Sequence, residues 1–231
     1  CLACNKEVQG DLIIEPLPYL PVIRDLVVDR TQLERSFSKG RVFFEAPEGE
    51  PTKLVADQIE NYRKIAKCIE CYSCVAACPA VEATNMQFQG PMLMVALGES
   101  AFNPRDMGKK SKTAFFEGIY DCTTCDKCAE VCPKKIAIPE TTIEKIRAIT
   151  VDERIGPLAG HRQVAELIET TGKTITKTST PLLETIPEIS EVKNREDRVG
   201  LFTGCLADYR LQELGRNLLT VLRENSIEVV A

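Results

Sequence analysis

Eight of the chain's eleven cysteines fall in two short runs, CIECYSCVAACP at 68–79 and CTTCDKCAEVCP at 122–133. Both obey C-x2-C-x2-C-x3-C-P, the spacing by which paired [4Fe-4S] clusters are held. Three thiolates spaced by two residues wrap one face of an iron–sulfur cube, while the fourth, after three further residues on the following turn, points toward the neighbouring cube. Each run therefore lends one ligand to its partner. The first cluster is expected on Cys68, Cys71, Cys74 and Cys132, and the second on Cys78, Cys122, Cys125 and Cys128. Pro79 and Pro133 are expected to stop the chain after each fourth ligand and close the loops over the sulfurs. Crossed ligation places the cubes close together, which makes an electron path. Structural zinc also uses C-x2-C pairs, yet it needs only four ligands per site and gains nothing from a third C-x2 step followed by x3-C-P. Disulfide frameworks are denser in cysteine and rarely so regular.

The elements that must carry these runs read as helices and loops. A helix is predicted from Thr52, as N-cap, through Val55, Ile59, Tyr62 and Ile65, delivering the chain to Cys68. GPMLMVALGESAF reads as a helix with Pro91 at its first position and Leu93, Met94, Leu97 and Phe102 turned inward. Pro139 opens another, carrying Ile143, Ile146 and Ile149. Upstream, residues 1–21 look like the closing strands of a small sheet, with the apolar run DLIIEPL ended by prolines. Val22, Ile23, Leu26, Val27, Leu33 and Phe37 recur at helical spacing. Downstream, HRQVAELIETTG is a helix, and the aperiodic stretch GKTITKTSTPLLETIPEISEVKNRED suits a linker. RVGLFTGC then reads as a strand, RLQELGRNLLTVLREN as an amphipathic helix with Leu211, Leu214, Leu218 and Leu222, and IEVV as a second strand. That is the start of a β-α-β unit.

Composition narrows the class of function. A 44% hydrophobic fraction supports real cores, and a net charge of −5 offers no footprint for a phosphate backbone. No nucleic acid is expected as a partner. No window approaches the roughly 18 consecutive apolar residues of a membrane span, and the chain opens on Cys1 without signal-peptide features. It reads as a cytoplasmic fragment of something longer, at most peripheral to a membrane. GKT at 172–174 lacks the glycine five residues earlier that a phosphate loop needs, since Leu167 stands there. His161, the single histidine, reads as a solvated first-turn residue. Lys134 and Lys135 beside Cys132 read as exposed charges that would raise a nearby cluster's potential.

LACNKEV, then IIEPLPYLPVIRDLVVDR, then FQGPMLMVALGESAFNPRD resemble, in order, the iron–sulfur subunits of succinate dehydrogenase and fumarate reductase, over roughly residues 2–150. The resemblance implies that Cys4 is the last ligand of a plant-type [2Fe-2S] cluster whose other ligands precede residue 1, so that this cluster belongs to the full-length parent only. Cys1 stands outside the matched triplet and reads as an incidental cysteine. Quinone-linked members of the family usually lack a cysteine at the position of Cys125 and carry a tryptophan after the first C-P. This chain has Cys125 and no tryptophan. That pattern resembles the thiol:fumarate reductase branch, in which such a subunit is fused to heterodisulfide-reductase-type cysteine-rich modules. LFTGCLADYRLQELG resembles the opening of one module, with Cys205 as its first cysteine.

The fold expected is therefore mainly α. It comprises the end of a β-grasp [2Fe-2S] domain with a connecting helix (1–50), a helical two-cluster ferredoxin domain (51–155), a helix and linker (156–197), and the start of a β-α-β cysteine-rich module (198–231). The resemblance implies an oxidoreductase subunit, inactive alone, that passes electrons from thiol oxidation to a flavoprotein (FAD) partner reducing fumarate. A thiol or heterodisulfide module would lie in the same chain. A quinone-linked succinate dehydrogenase subunit and a stand-alone ferredoxin-like carrier are the alternative readings, and no residue is expected to be catalytic.

Overall fold

The computed structural model describes residues 7–40, 42–49, 59–176 and 179–230. The chain divides into two compact units, Cys1–Pro157 and Leu158–Ala231.

In the first unit a short hairpin pairs β1 (Val22–Arg24) antiparallel with β2 (Val27–Val28). Asp25, at φ 51, makes its turn. This corrects the helical reading of 22–37, because the helix starts only at α1 (Thr31–Lys39), where the Asp29 carboxylate accepts the Thr31 N–H at 2.8 Å. The competing principle is end chemistry, since a carboxylate that satisfies an orphan amide fixes where a helix begins better than apolar spacing does. No strand occurs in 7–21, where Ile13 is 94% exposed, so DLIIEPL is not a strand among the described residues. The predicted N-cap Thr52 lies outside them. α2 (Glu60–Ile65) leads to the first cysteine run, which contains α3 (Ser73–Ala76) and is followed by α4 (Pro79–Ala83).

α5 (Pro91–Ala101) is the centre of this unit, with Pro91 at its first position as the sequence predicts. Met92, Leu93, Met94, Val95 and Leu97 are all buried, so the helix is apolar all round. At about 1.5–3 kcal/mol for each large apolar side chain taken from water, it anchors everything packed on it. α2, α3, the π-helical turn Pro139–Ile143 and α6 (Lys110–Phe116) surround it. Apolar spacing does not predict α6, because KSKTAFF has only a short apolar end and its burial comes from docking on α5. A 3-10 turn (Ile119–Asp121) and α7 (Lys127–Glu130) frame the second cysteine run, and α8 (Glu144–Asp152) continues the π-helical turn with Ile143 and Ile146 fully buried. No strand interrupts residues 59–157.

The second unit opens with α9 (Ala159–Thr171), closed by Gly172 in the left-handed region at φ 69. GKT at 172–174 is thus a helix C-terminus. The stretch read as a linker carries α10 (Leu182–Thr185) and β3 (Ile189–Ser190). Leu182 is fully buried, and its side chain occupies the space a Cβ on Gly215 would need. Then follow β4 (Asp197–Gly200), α11 (Gly204–Tyr209), α12 (Gln212–Glu224) and β5 (Ile227–Val230). β4 and β5 run parallel, with Val199 opposite Val229, and β3 joins β5 antiparallel, giving the order β3-β5-β4. The β-α-β unit read from the sequence is present in this pairing. Its helix buries Gly215 and Leu219, whereas Leu211, Leu214 and Leu218 are exposed.

Candidate functional site

The two cysteine runs share one backbone design. Glu70 and Tyr72 flank Cys71 in the left-handed region, and Thr124 and Asp126 flank Cys125 in the same way. Each non-glycine residue in that region carries a cost of roughly 1 kcal/mol or more, which the surrounding fold must offset. The conformation turns backbone amides toward sulfur. The Thr124 N–H donates to the Cys122 Sγ at 3.4 Å, and the Glu70 amide does the same for Cys68. One turn of helix follows in each run, α3 bearing Cys74 and α7 bearing Cys128. The symmetry ends at the prolines. Pro79 opens α4 with Cys78 as its N-cap residue, which corrects the expectation that it stops the chain. Its ring needs no amide donor and its φ suits the first helical turn. Pro133 leads into a turn in which the Ile136 N–H donates to Cys132 Sγ at 3.4 Å.

These two designs meet across the chain. Cys68, Cys71, Cys74 and Cys132 line one small cavity, bordered by Ile69, Tyr72, Met92, Lys134, Ile136 and Ile138. Cys78, Cys122, Cys125 and Cys128 line a second small cavity, with Pro79, Pro91, Lys127 and Pro139 around them. Consecutive residues divide the cavities: Met92 and Ile138 face the first, Pro91 and Pro139 the second. The change of side thus falls between neighbouring residues on two different elements.

Four thiols spread over the walls of each cavity are a donor set for a core of several metal atoms. Eight thiols in two sets of four, each set drawn from both C-x2-C-x2-C-x3-C-P runs, are a donor arrangement that fits iron–sulfur cores.

Burial sets the electrostatics of both cavities. Cys74, Cys78 and Cys128 are buried, Cys68, Cys71, Cys122 and Cys132 partly so, and Cys125 is exposed. Desolvation pushes the Cys128 thiol up to about 12, reinforced by Cys122 and Cys78, and raises Cys74 further, with Cys128 and Cys68 adding to it. Desolvation also raises Cys68, Cys78 and Cys122. Thiols so placed stay protonated until a bound metal draws the protons off.

Sequence reasoning missed two charged neighbours. Arg147 reaches back from α8 to the carbonyls of Ile119 and Cys122. Glu99, on α5, is half-buried with its carboxyl raised by desolvation and then by Glu70, and its charge bears on Cys68. A charged residue inside an otherwise apolar helix was the available signal for Glu99, whereas α8 also carries Glu144, Lys145 and Asp152, so nothing in its pattern singled out Arg147. Lys134 borders the first cavity, while Lys135 sits in the left-handed region without lining it. His161 is exposed in the first turn of α9.

The remaining predicted cysteines stand apart from these cavities. Cys4 and Cys1 lie outside the described residues. Cys205 is on the first turn of α11 and not at the end of a strand, because β4 stops at Gly200 and the chain turns through Gly204 at φ 61. Hydrogen bonds with Thr174 lower its thiol from the ordinary range.

Residues 64–136, which contain both runs, match the family of the 4Fe-4S dicluster domain. Over 228 residues, 99% of this chain, the sequence is 38% identical to a subunit of the fumarate reductase (CoM/CoB) of Methanothermobacter marburgensis. The chain is similar to the iron–sulfur subunits of the fumarate reductase and succinate dehydrogenase family. The fumarate reductase iron–sulfur subunit of Haemophilus influenzae is 33% identical over 58% of this chain and 60% of that one. Among solved structures, a chain of the Mycobacterium smegmatis Sdh1 complex in the apo form superposes with a TM-score of 0.54 at 27% identity, covering 63% of each chain. The chain spans 45% of the length of the methanogen relative. Among the described residues no helix is long and apolar enough to cross a membrane.

Proposed function

We propose that the chain is the electron-transfer subunit of a thiol:fumarate reductase, holding two [4Fe-4S] clusters. Cys68, Cys71, Cys74 and Cys132 hold the first, and Cys78, Cys122, Cys125 and Cys128 the second. The observation that carries the reading is that each cavity is lined by three thiols of one run and the fourth of the other. The clusters, when bound, supply one-electron transfer; the protein's part is ligation, burial and spacing. Amides from Thr124 and Ile136 point at sulfurs, where they offset the negative charge of a thiolate-bound core. Met92 with Pro91, and Ile138 with Pro139, keep water out between the two sites and fix their separation.

The thiol branch rests on two features. One is the full set of eight cysteines including Cys125; the other is likeness along nearly the whole chain to a methanogen protein named as a subunit of fumarate reductase (CoM/CoB). In this reading electrons come from thiol oxidation in a cysteine-rich module of the same protein, for which Cys205 is the first cysteine. They leave through a [2Fe-2S] cluster, with Cys4 as its last ligand, to a flavoprotein (FAD) partner that reduces fumarate. The domain limits are those read from the sequence, and the assembly is cytoplasmic or peripheral to a membrane.

Anaerobic reconstitution of the chain with iron and sulfide tests the cluster assignment. About eight iron atoms per chain are expected, four for each cube, with the half-integer spin signals of reduced [4Fe-4S]+ centres. A native [3Fe-4S] signal in strictly anaerobic material would favour the quinone-linked reading. Zinc in place of iron would overturn both.

A further inference from the structure

Arg147 projects from α8 toward the second cysteine run, and its donors end on backbone. Its Nη2 donates to the Cys122 carbonyl at 2.6 Å and to the Ile119 carbonyl at 2.7 Å, and Nε donates to Ile119 as well at 3.2 Å. The guanidinium carbon lies 5.2 Å from the centre of the Tyr120 ring, the residue between those turns. Tyr120 is itself held, its hydroxyl 2.9 Å from Thr150 Oγ1 and its ring edge-on to Phe115 at 5.8 Å. This is a planar donor fork seated on a fixed platform, a geometry that a lysine cannot reproduce.

Among the described residues the fork is not paired with a carboxylate, although the charge of Asp126 also bears on Cys122. The partners of Arg147 are carbonyls and a ring face. Lys127, the other cation at the second cavity, is paired with Glu130 at 2.7 Å. The first site has Glu99 and Glu70 near Cys68, with Lys134 on the cavity border. The two thiol sets are alike in number and in the left-handed residues that flank Cys71 and Cys125, and they differ at the prolines, in the exposure of Cys125 and in the neighbouring charges.

We propose that Arg147 is a positioning residue of the second cluster site: it pins the Cys122 carbonyl and keeps an unpaired positive charge beside that site, raising the reduction potential of the cluster held there. The proposal rests on the cluster assignment given above. Adding an electron makes a thiolate-bound cube more negative, so a nearby cation favours the reduced form, and potentials of such clusters respond to local charge and hydrogen bonding. The second cluster then becomes the electron-accepting member of the pair.

The test is an EPR-monitored redox titration of the reconstituted chain and of its Arg147→Gln and Arg147→Lys variants, with iron content measured in each. The signal of the second cluster is assigned by its alteration in Cys125→Ser. Arg147→Gln is expected to lower the potential of the second cluster alone, cutting its reduced share at fixed potential on the order of tenfold, about 59 mV for a one-electron couple. Arg147→Lys, which keeps the charge and loses the fork, is expected to recover most of that shift. Equal shifts of both clusters, or no shift in fully loaded Arg147→Gln, would overturn the proposal. If Arg147→Gln does not retain the second cluster, the lysine variant decides: loading with a potential near that of the parent chain supports the charge argument, and loading with a much lower one overturns it. A parent chain that takes up no iron sinks the cluster assignment itself, an outcome separate from any of these.

Discussion

Cys78 shares its cavity with Cys122, on a distant run, and not with Cys74, one helical turn before it. The turn of α3 aims Cys74 at one side of the wall formed by Pro91–Met92, and the extended backbone at Cys78, with ψ 112, carries that sulfur to the other. Replacing Cys78 by Ser is therefore expected to damage the second cluster, with loss of up to about four of eight iron atoms and retention of the first cluster's signal. Iron analysis with EPR of the reduced variant reads the outcome, and loss confined to the first cluster would contradict the crossed assignment.

Cys125 is the exposed thiol of the eight. An iron held by Cys125 would be the one solvent reaches most easily. Cys125→Ser is expected to convert the second centre toward [3Fe-4S], seen as an oxidised-state EPR signal, with the fold and the first cluster unchanged.

Gly90 connects the loop after α4 to α5, at φ 92 and ψ 168, a conformation essentially restricted to glycine. A Cβ there would sit 3.2 Å from methyl groups of both Val75 and Val81. Gly90→Ala is expected to destabilise the chain by about 2–3 kcal/mol from strain and overpacking. Chemical denaturation of the cluster-free protein measures it; a change within about 0.5 kcal/mol would show that the loop adjusts freely.

The buried thiols make the cluster-free chain sensitive to alkali. Cys128 has its pKa raised from 9.0 to about 12 by desolvation and its thiol neighbours, so its contribution to stability is complete below pH 9 and is lost as pH rises through 12. Cluster-free protein is expected to lose stability over that window, less steeply in Cys128→Ala, when thermal unfolding is followed against pH. Metal binding works against the same raised values, so cluster loading is expected to release protons and to weaken as the medium is acidified.

What the sequence determined by itself is the chemistry. Two C-x2-C-x2-C-x3-C-P runs specify thiol number, spacing and the offset of the fourth sulfur, and all of these are local properties of a few adjacent residues. Pro91 and the apolar run behind it likewise determine α5, since both a first-turn proline and a stretch apolar on every side act within one element. The tertiary structure alone decided the rest. The pairing of β1 with β2 ended the helical reading of 22–37, because apolar spacing does not record which strand partner is at hand. α6 and α10 exist through docking, Ala114 being fully buried in one and Leu182 in the other, which no local period records. Pro79 became a helix start, a role that a proline at the first turn and one that breaks a chain share in sequence. Arg147 meets Cys122 because α8 returns past the second run, and an arginine's neighbours across a fold are set by packing, not by its place in the chain.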